Sequence, residues 1–365
     1  MERPGQHLIT IAGARMQMTP AKVFKFQTPD WKLAIAESFR DRGELLEFCE
    51  IDSSGLDLNR SEKVRPETGR EAGPGHDFPL RVTRYFASLI EKGNALDPLL
   101  LQVLPDTREL ETIEGYSKDP VGDRRSMPVA GLIHKYHGRV LLTLTGACPI
   151  HCRYCFRRHF PYQEATVDYN TDGEVMKYLS RHKEIREVIL SGGDPLMLSD
   201  QKLAKLIVNL NQVAHIRLLR IHSRLLSVLP QRVTETFIET LKQFNGKIIL
   251  VTHINHPHEI TEFNHSAFQL LSQQGFTLLN QAVLLKQINN SAQTLVDLSY
   301  KLFAAHIMPY YLHRLDKVQG AAHFDLPAKE SHRIYRKMRS RLPGYLLPEL
   351  VEEIAGRPSK TRCIQ

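Results

Sequence analysis

The run Arg139-Val-Leu-Leu-Thr-Leu-Thr145 is followed almost at once by Cys148-Pro-Ile-His-Cys152-Arg-Tyr-Cys155, so a short apolar stretch leads into three closely spaced thiols. An apolar run of this length, bounded by small and polar residues, reads as a buried strand. Five more follow, at Glu187–Leu190, Ile216–His222, Lys247–His253, Thr277–Leu285 and Ile307–Leu312; after the first pair they start about 30 residues apart. Helical patterns fill the intervals at Gln201–Asn211, Thr234–Phe244, Glu259–Gln274 and Ala292–Ala305. A strand–helix repeat of that length implies parallel strands joined by right-handed crossovers. The expected fold is therefore α/β, a partial (β/α)6 barrel of the TIM type, with an open doubly wound sheet as the competing architecture. In a barrel, chemistry gathers where strands end. The thiols follow the first strand and Ser191-Gly192-Gly193-Asp194-Pro195 the second. His222 and His253 close the third and fourth, Gln281 lies in the fifth, and Asp316 follows the sixth.

The rest of the chain is organised around that repeat. Residues 1–125 look helical and irregular: Trp31 to Phe48 has helical spacing behind Asp30 as N-cap, and Pro79–Lys92 and Pro98–Leu104 are further short helix candidates. The division expected is 1–125 for this region, 126–320 for the barrel and 321–365 for a C-terminal segment. With 365 residues and 42% apolar content the chain can fill a large core. Apart from a polar stretch at 59–78 it shows no low-complexity tract, no secretory pattern and no apolar run near the ~20 residues of a membrane span. The expected location is cytoplasmic, with no membrane partner. The net charge of +8 is spread out except between His332 and Arg362, and suits anionic cofactors or substrates as well as nucleic acid; no nucleic-acid partner is expected.

Of five cysteines, Cys148, Cys152 and Cys155 sit within eight residues, too close for a useful disulfide framework, whereas Cys49 and Cys363 stand alone. Three thiolates on one tight loop can bind three irons of a [4Fe–4S] cube and leave the fourth iron open to a substrate. A structural zinc site with His151 or His159 as fourth ligand is the alternative, although zinc knuckles more often pair cysteines as C-x2-C.

This C-x3-C-x2-C spacing at the end of a first strand resembles the radical S-adenosylmethionine superfamily, and Ser191-Gly192-Gly193-Asp194 resembles its second signature. Leu132-Ile-His-Lys-Tyr-His-Gly-Arg-Val140, Cys155-Phe-Arg-Arg-His159, Arg220-Ile-His-Ser-Arg224, Thr252-His-Ile-Asn-His-Pro257 and Tyr310-Tyr-Leu-His-Arg-Leu-Asp316 narrow the likeness to the lysine 2,3-aminomutase family. Phe156-Arg-Arg-His-Phe-Pro-Tyr162 resembles the branch that makes β-lysine for elongation factor P. The resemblance implies a [4Fe–4S] cluster on Cys148, Cys152 and Cys155, S-adenosylmethionine, pyridoxal phosphate and an external electron donor. It implies L-lysine as substrate, (R)-β-lysine as product, and a functional link to a separate ligase and elongation factor P.

Residue by residue, the resemblance makes Lys360 the Schiff-base lysine, in Gly356-Arg-Pro-Ser-Lys360, which keeps one glycine where the aminomutases proper carry a run of them. Arg139 and Lys135 would hold the cofactor phosphate. Ser191, Gly192, Gly193, Asp194, His253 and Gln281 would lie near S-adenosylmethionine or pyridoxal phosphate. Arg157 would bind the substrate carboxylate, and Asp316 and Glu353 its distant ammonium. The rivals are glutamate 2,3-aminomutation, methylthiolation, and a zinc-stabilised RNA-binding protein.

Overall fold

The computed structural model describes residues 30–52, 78–165, 167 and 173–363. Nearly all of the polar stretch at 59–78 lies outside them. The chain opens with α1 (Trp31–Ala36) and α2 (Arg42–Phe48). The spacing predicts one helix here, and Asp30 caps it as expected through the Lys32 amide, 3.0 Å away. The helix breaks because Phe39 leaves it to pair with Val82 in a two-way backbone bridge, and Asp41 starts a new helix by accepting from the Glu44 amide. Two local devices thus override the periodicity. After α3 (Arg84–Ser88), the segment through Leu110 adds only single 3-10 turns. Phe39, Leu46, Val82, Phe86, Leu100 and their neighbours form a small core of their own, which takes in Ile150 from the cysteine loop.

The nine-stranded sheet runs β1 (Leu132–Tyr136), β2 (Arg139–Thr143), β3 (Glu187–Ser191), β4 (Leu218–Ser223), β5 (Lys247–Thr252), β6 (Thr277–Val283), β7 (Met308–His313), β8 (Glu349–Glu352) and β9 (Thr361–Arg362), in chain order across the sheet. Strands β2 to β8 are parallel, while β1 and β9 close the two edges as antiparallel hairpin partners. The six predicted strands are β2 to β7. The seventh parallel strand, β8, and the edge β9 come from the C-terminal segment, which joins the barrel sheet directly.

Crossovers use α4 (Glu174–Arg181), α5 (Asp200–Asn211), α6 (Leu225–Val228), α7 (Glu235–Lys242), α8 (Glu262–Gln273), α9 (Ala292–Ala304) and α10 (Ala328–Arg339). Ser199, Thr234, Thr261 and Ser291 cap α5, α7, α8 and α9 through their hydroxyls. Side chains alternate across each strand. Leu142, Leu190, Leu219, Ile221 and Leu312 face the helices and pack on residues such as Leu206, Phe237, Phe268 and Leu298. Leu141, Ile189, Arg220, His222, Gln281 and Tyr311, from the opposite face, all line one cavity. Strands of a flat sheet could not turn alternate residues onto a common cavity, so the sheet is curved into a partial barrel. No helix among the described residues is long and apolar enough to cross a membrane.

Candidate active site

The cavity, of about 500 Å³, draws much of its lining from the C-terminal ends of the strands and the loops after them, and lies within the range of ligand pockets. Its walls include all three clustered cysteines, the Ser191-Gly-Gly-Asp194 loop, Arg139, Arg157, His253, Gln281, Asp316, Glu353 and Lys360. Residues far apart in the chain thus meet in one space.

The cysteine loop is anchored from both sides. On the barrel side, Leu144 donates to the Ser191 carbonyl, Gly193 to Thr145 (2.6 Å) and Asp194 to Ala147 (2.8 Å), which extends the pairing of β2 and β3 beyond their ends. A Cβ on Gly192 would stand 2.6 Å from the Thr145 oxygen, and one on Gly193 2.5 Å from the Ala147 oxygen; Gly192 also has φ +123°. The glycine pair is therefore needed for backbone to meet backbone beneath the thiols. Asp194 serves the same end. Its buried carboxylate accepts from the amides of Leu196, Arg224 and Leu225 and from the Ser223 hydroxyl, fastening the end of β4.

On the N-terminal side, Arg81 donates to the Cys148 carbonyl (3.0 Å) and His151 stacks on Phe78. Glu109 holds both Arg153 (Nε, 2.7 Å) and Arg158 (Nη2, 2.6 Å), each of whose guanidinium groups also lies over the Phe78 ring. Arg153 is fully buried. The two cations hold the Glu109 carboxyl below its usual range, against the opposing effect of burial. Tyr154 packs behind the loop with His253, 3.3 Å from its hydroxyl, and Asn255, which donates to it at 2.6 Å.

The thiols themselves are free and partly accessible. Burial raises all three, Cys155 to about 11. Among the described residues no three His, Cys, Asp or Glu side chains converge to hold a single ion. Three thiols on one wall of a shared cavity, with backbone glycines beside them, match the separate corners of an iron–sulfur cube.

At the opposite end, Lys360 is delivered by the β8–β9 hairpin. Its Nζ lies 3.3 Å from Glu353 Oε2 and 3.4 Å from His313 Nε2, beside the Tyr311 ring. Burial lowers its pKa, with Glu353 opposing. A largely buried amine of this kind fits a carbonyl cofactor. Cationic and donor groups suited to an anion stand around it: Arg139 lies over the Tyr136 ring, and the buried Arg220 Nε and His222 Nε2 have no hydrogen-bond partner. Pyridoxal phosphate therefore fits the donor set.

The charged residues expected to hold substrate are joined by one that sequence reading overlooked. Asp123 is buried; it accepts from Arg157 Nε (2.7 Å) through one oxygen and from Lys135 Nζ (2.5 Å) through the other. Arg157 also donates to Ser191 Oγ (3.0 Å). Lys135 donates further to Glu353 Oε1 (2.8 Å) and to the Val121 carbonyl (2.8 Å), so its three protons are already taken; a phosphate there would have to displace an acid. Lys360 and Lys135 pull the Glu353 carboxyl down to about 2, although burial opposes them. Among the described residues Asp316 makes no side-chain hydrogen bond or ion pair; desolvation in the cavity and the nearby Glu353 push its carboxyl up to about 7. His222, at the end of β4, accepts weakly from Gln281 (3.4 Å). Strand-end position, the signal that singled out His253, also points to His222. Asp123 lies in an irregular connector where no spacing singles it out.

This geometry agrees with what the chain resembles. The radical SAM superfamily matches residues 142–264. The L-lysine 2,3-aminomutase of Escherichia coli is 45% identical over 344 residues, which cover 93% of this chain and 97% of that protein. The protein of the same name in Haemophilus influenzae is 48% identical over 284 residues (78% and 84%), and that of Clostridium subterminale 36% identical over 283 (77% and 68%). With a likeness to the first that runs almost from end to end, and a cavity that three cysteines and Lys360 line together, the chain belongs to the L-lysine 2,3-aminomutase family of radical SAM proteins.

Proposed function

We propose that the protein converts L-α-lysine to (R)-β-lysine by moving the amino group from C2 to C3. The observation that carries this reading is the carboxyl of Asp316, half-buried in the wall of the same cavity as Arg157 and Lys360 and without a partner among the described residues. An acid held in a cavity wall without a partner is poorly stabilised until a cation arrives, and the ammonium of a lysine substrate supplies one. Arg157 offers the planar fork that suits the other end, a carboxylate. Glutamate fits less well, because its second carboxylate would face Asp316 and Glu353.

Cys148, Cys152 and Cys155 would hold a [4Fe–4S] cluster, Lys360 would hold pyridoxal phosphate, and Arg139 would bind its phosphate. Ser191, the Gly192–Gly193 backbone, His253 and Gln281 would border the S-adenosylmethionine between them. When bound, these groups supply an electron from an external donor, a hydrogen-abstracting radical and a π system for the migrating nitrogen. The chain's own contribution is to fix both ends of the substrate, keep Lys360 desolvated and exclude water. The β-lysine formed would be passed to a separate ligase for attachment to elongation factor P, in the cytoplasm.

Incubating the anaerobically reconstituted protein with lysine or glutamate, S-adenosylmethionine and a reductant tests the substrate. β-Lysine from lysine, with no β-glutamate from glutamate, is the expected outcome. Rearrangement of glutamate alone would overturn the reading.

A further inference from the structure

The charges lining the cavity form one alternating chain: Arg157, Asp123, Lys135, Glu353, Lys360. Adjacent members are joined at 2.7, 2.5, 2.8 and 3.3 Å. Its first member is the proposed partner of the substrate carboxylate. Its fourth is one of the two acids proposed for the substrate ammonium. Nothing in the proposed chemistry requires Asp123 or Lys135 to touch substrate, yet Asp123 is among the most deeply buried carboxylates of the cavity, and both its oxygens are committed.

We infer that Asp123 is a positioning residue for both ends of the substrate, and that Lys135 is an internal rival of the substrate ammonium for Glu353. The inference rests on the reading of Arg157 and Glu353 given above. At the carboxylate end, Asp123 takes Arg157 Nε and Ser191 takes one proton of Nη1, which fixes the plane of the guanidinium and leaves Nη2 and the other Nη1 proton as its fork. A guanidinium held at two points presents its fork in one orientation, whereas an untethered one must be ordered by the ligand. At the ammonium end, Lys135 already neutralises part of Glu353, so the acid that an arriving ammonium meets is weakened. Asp123 limits that rivalry by holding the Lys135 ammonium from the other side. Without Asp123, Lys135 would settle more fully on Glu353; without Lys135, Glu353 would be released to the substrate.

The two substitutions should therefore act in opposite directions on the ammonium end, a result that general damage to the fold cannot imitate. Pentane-1,5-diamine, which has lysine's distal ammonium but no carboxylate, reports on that end alone. Its binding can be read without turnover, from the pyridoxal absorbance as it displaces Lys360. Asp123→Asn should weaken the diamine and raise the KM for lysine on the order of a hundredfold, with iron and sulfide content unchanged. Lys135→Met should tighten the diamine and leave pyridoxal content intact.

Weaker diamine binding in both variants, unchanged binding in both, or loss of pyridoxal phosphate from Lys135→Met would each overturn the inference; the last would make Lys135 a phosphate ligand. Arg157→Ala separates this from the underlying reading: it should raise the KM for lysine and leave the diamine untouched. If Arg157→Ala leaves the KM for lysine unchanged, it is the assignment of Arg157 that fails.

Discussion

The two ends of the cavity are built on opposite plans. At the cysteine end most polar groups beneath the thiols are satisfied before any ligand arrives, Arg158 Nε and Arg224 Nε excepted. Backbone bonds join the loop to the glycine pair, Glu109 holds two arginines, and Asp194 accepts from four donor groups. At the lysine end, Asp316 stands unpaired, His222 and Arg220 keep unsatisfied nitrogens, and Lys360 sits at the edge of a two-residue strand that follows an exposed turn. One end is a rigid seat, and the other becomes complete only when ligands bring the missing charges. The contrast suits a reaction in which a reactive species forms at the fixed end and the substrate must be taken up and released at the other.

Substitutions at the two ends should therefore fail in different ways. The largest effect expected is from Lys360→Ala, which should abolish rearrangement while leaving iron and sulfide content as in the parent; normal turnover would remove Lys360 from the chemistry. Next, Gly193→Ala places a methyl group against the Ala147 oxygen and must shift the cysteine loop. It should lower iron incorporation severalfold while a lysine-end property, the absorbance of bound pyridoxal, persists; full iron content would contradict the seat described here.

Glu109→Gln strands two buried guanidinium groups that share one acid. A stability loss of about 3–5 kcal/mol is expected by denaturant unfolding, and a loss below about 1 kcal/mol would show that the two arginines find other partners.

The smallest effect, and the one that sharpens the comparison most, is on pH dependence. The Asp316 carboxyl is raised to about 7 in the free protein, well above its value of about 4 in an unfolded chain. Its protonated form is favoured by the fold, so the stability it contributes is present at low pH and lost as pH rises from about 4 through about 7. Lysine binding needs the ionised form. The KM for lysine should therefore fall as pH rises toward 7, by up to about tenfold per unit, and level off above it. Asp316→Asn should raise KM and flatten that slope. A parent enzyme whose KM is constant from pH 5.5 to 8 would place the ammonium elsewhere.

Much of this was legible in the sequence, for identifiable reasons. Parallel strands buried on one face and facing a cavity on the other give apolar runs, and that signal marks β2 to β7. The short β8 and β9 carry none, since four and two residues are too few for a pattern, and their pairing is set by tertiary packing. The cysteine, glycine and aspartate motifs stand out by spacing. Their supports do not: Glu109 reaches Arg153 across 44 residues and Asp123 reaches Arg157 across 34, in segments of irregular backbone without a period. For the Gly192–Gly193 pair, the sequence resemblance locates the residues, whereas the structure supplies the reason for glycine: both stand against the cysteine loop's own backbone.

The central claim is that one cavity lets the cysteine end and the Lys360 end act on a single substrate. Lysine carrying deuterium at C3 tests it directly. After anaerobic turnover with S-adenosylmethionine, the 5′-deoxyadenosine recovered should contain deuterium and the β-lysine should carry it at C2. 5′-Deoxyadenosine formed without deuterium, alongside unlabelled positions in the product, would mean that the two ends do not meet on lysine.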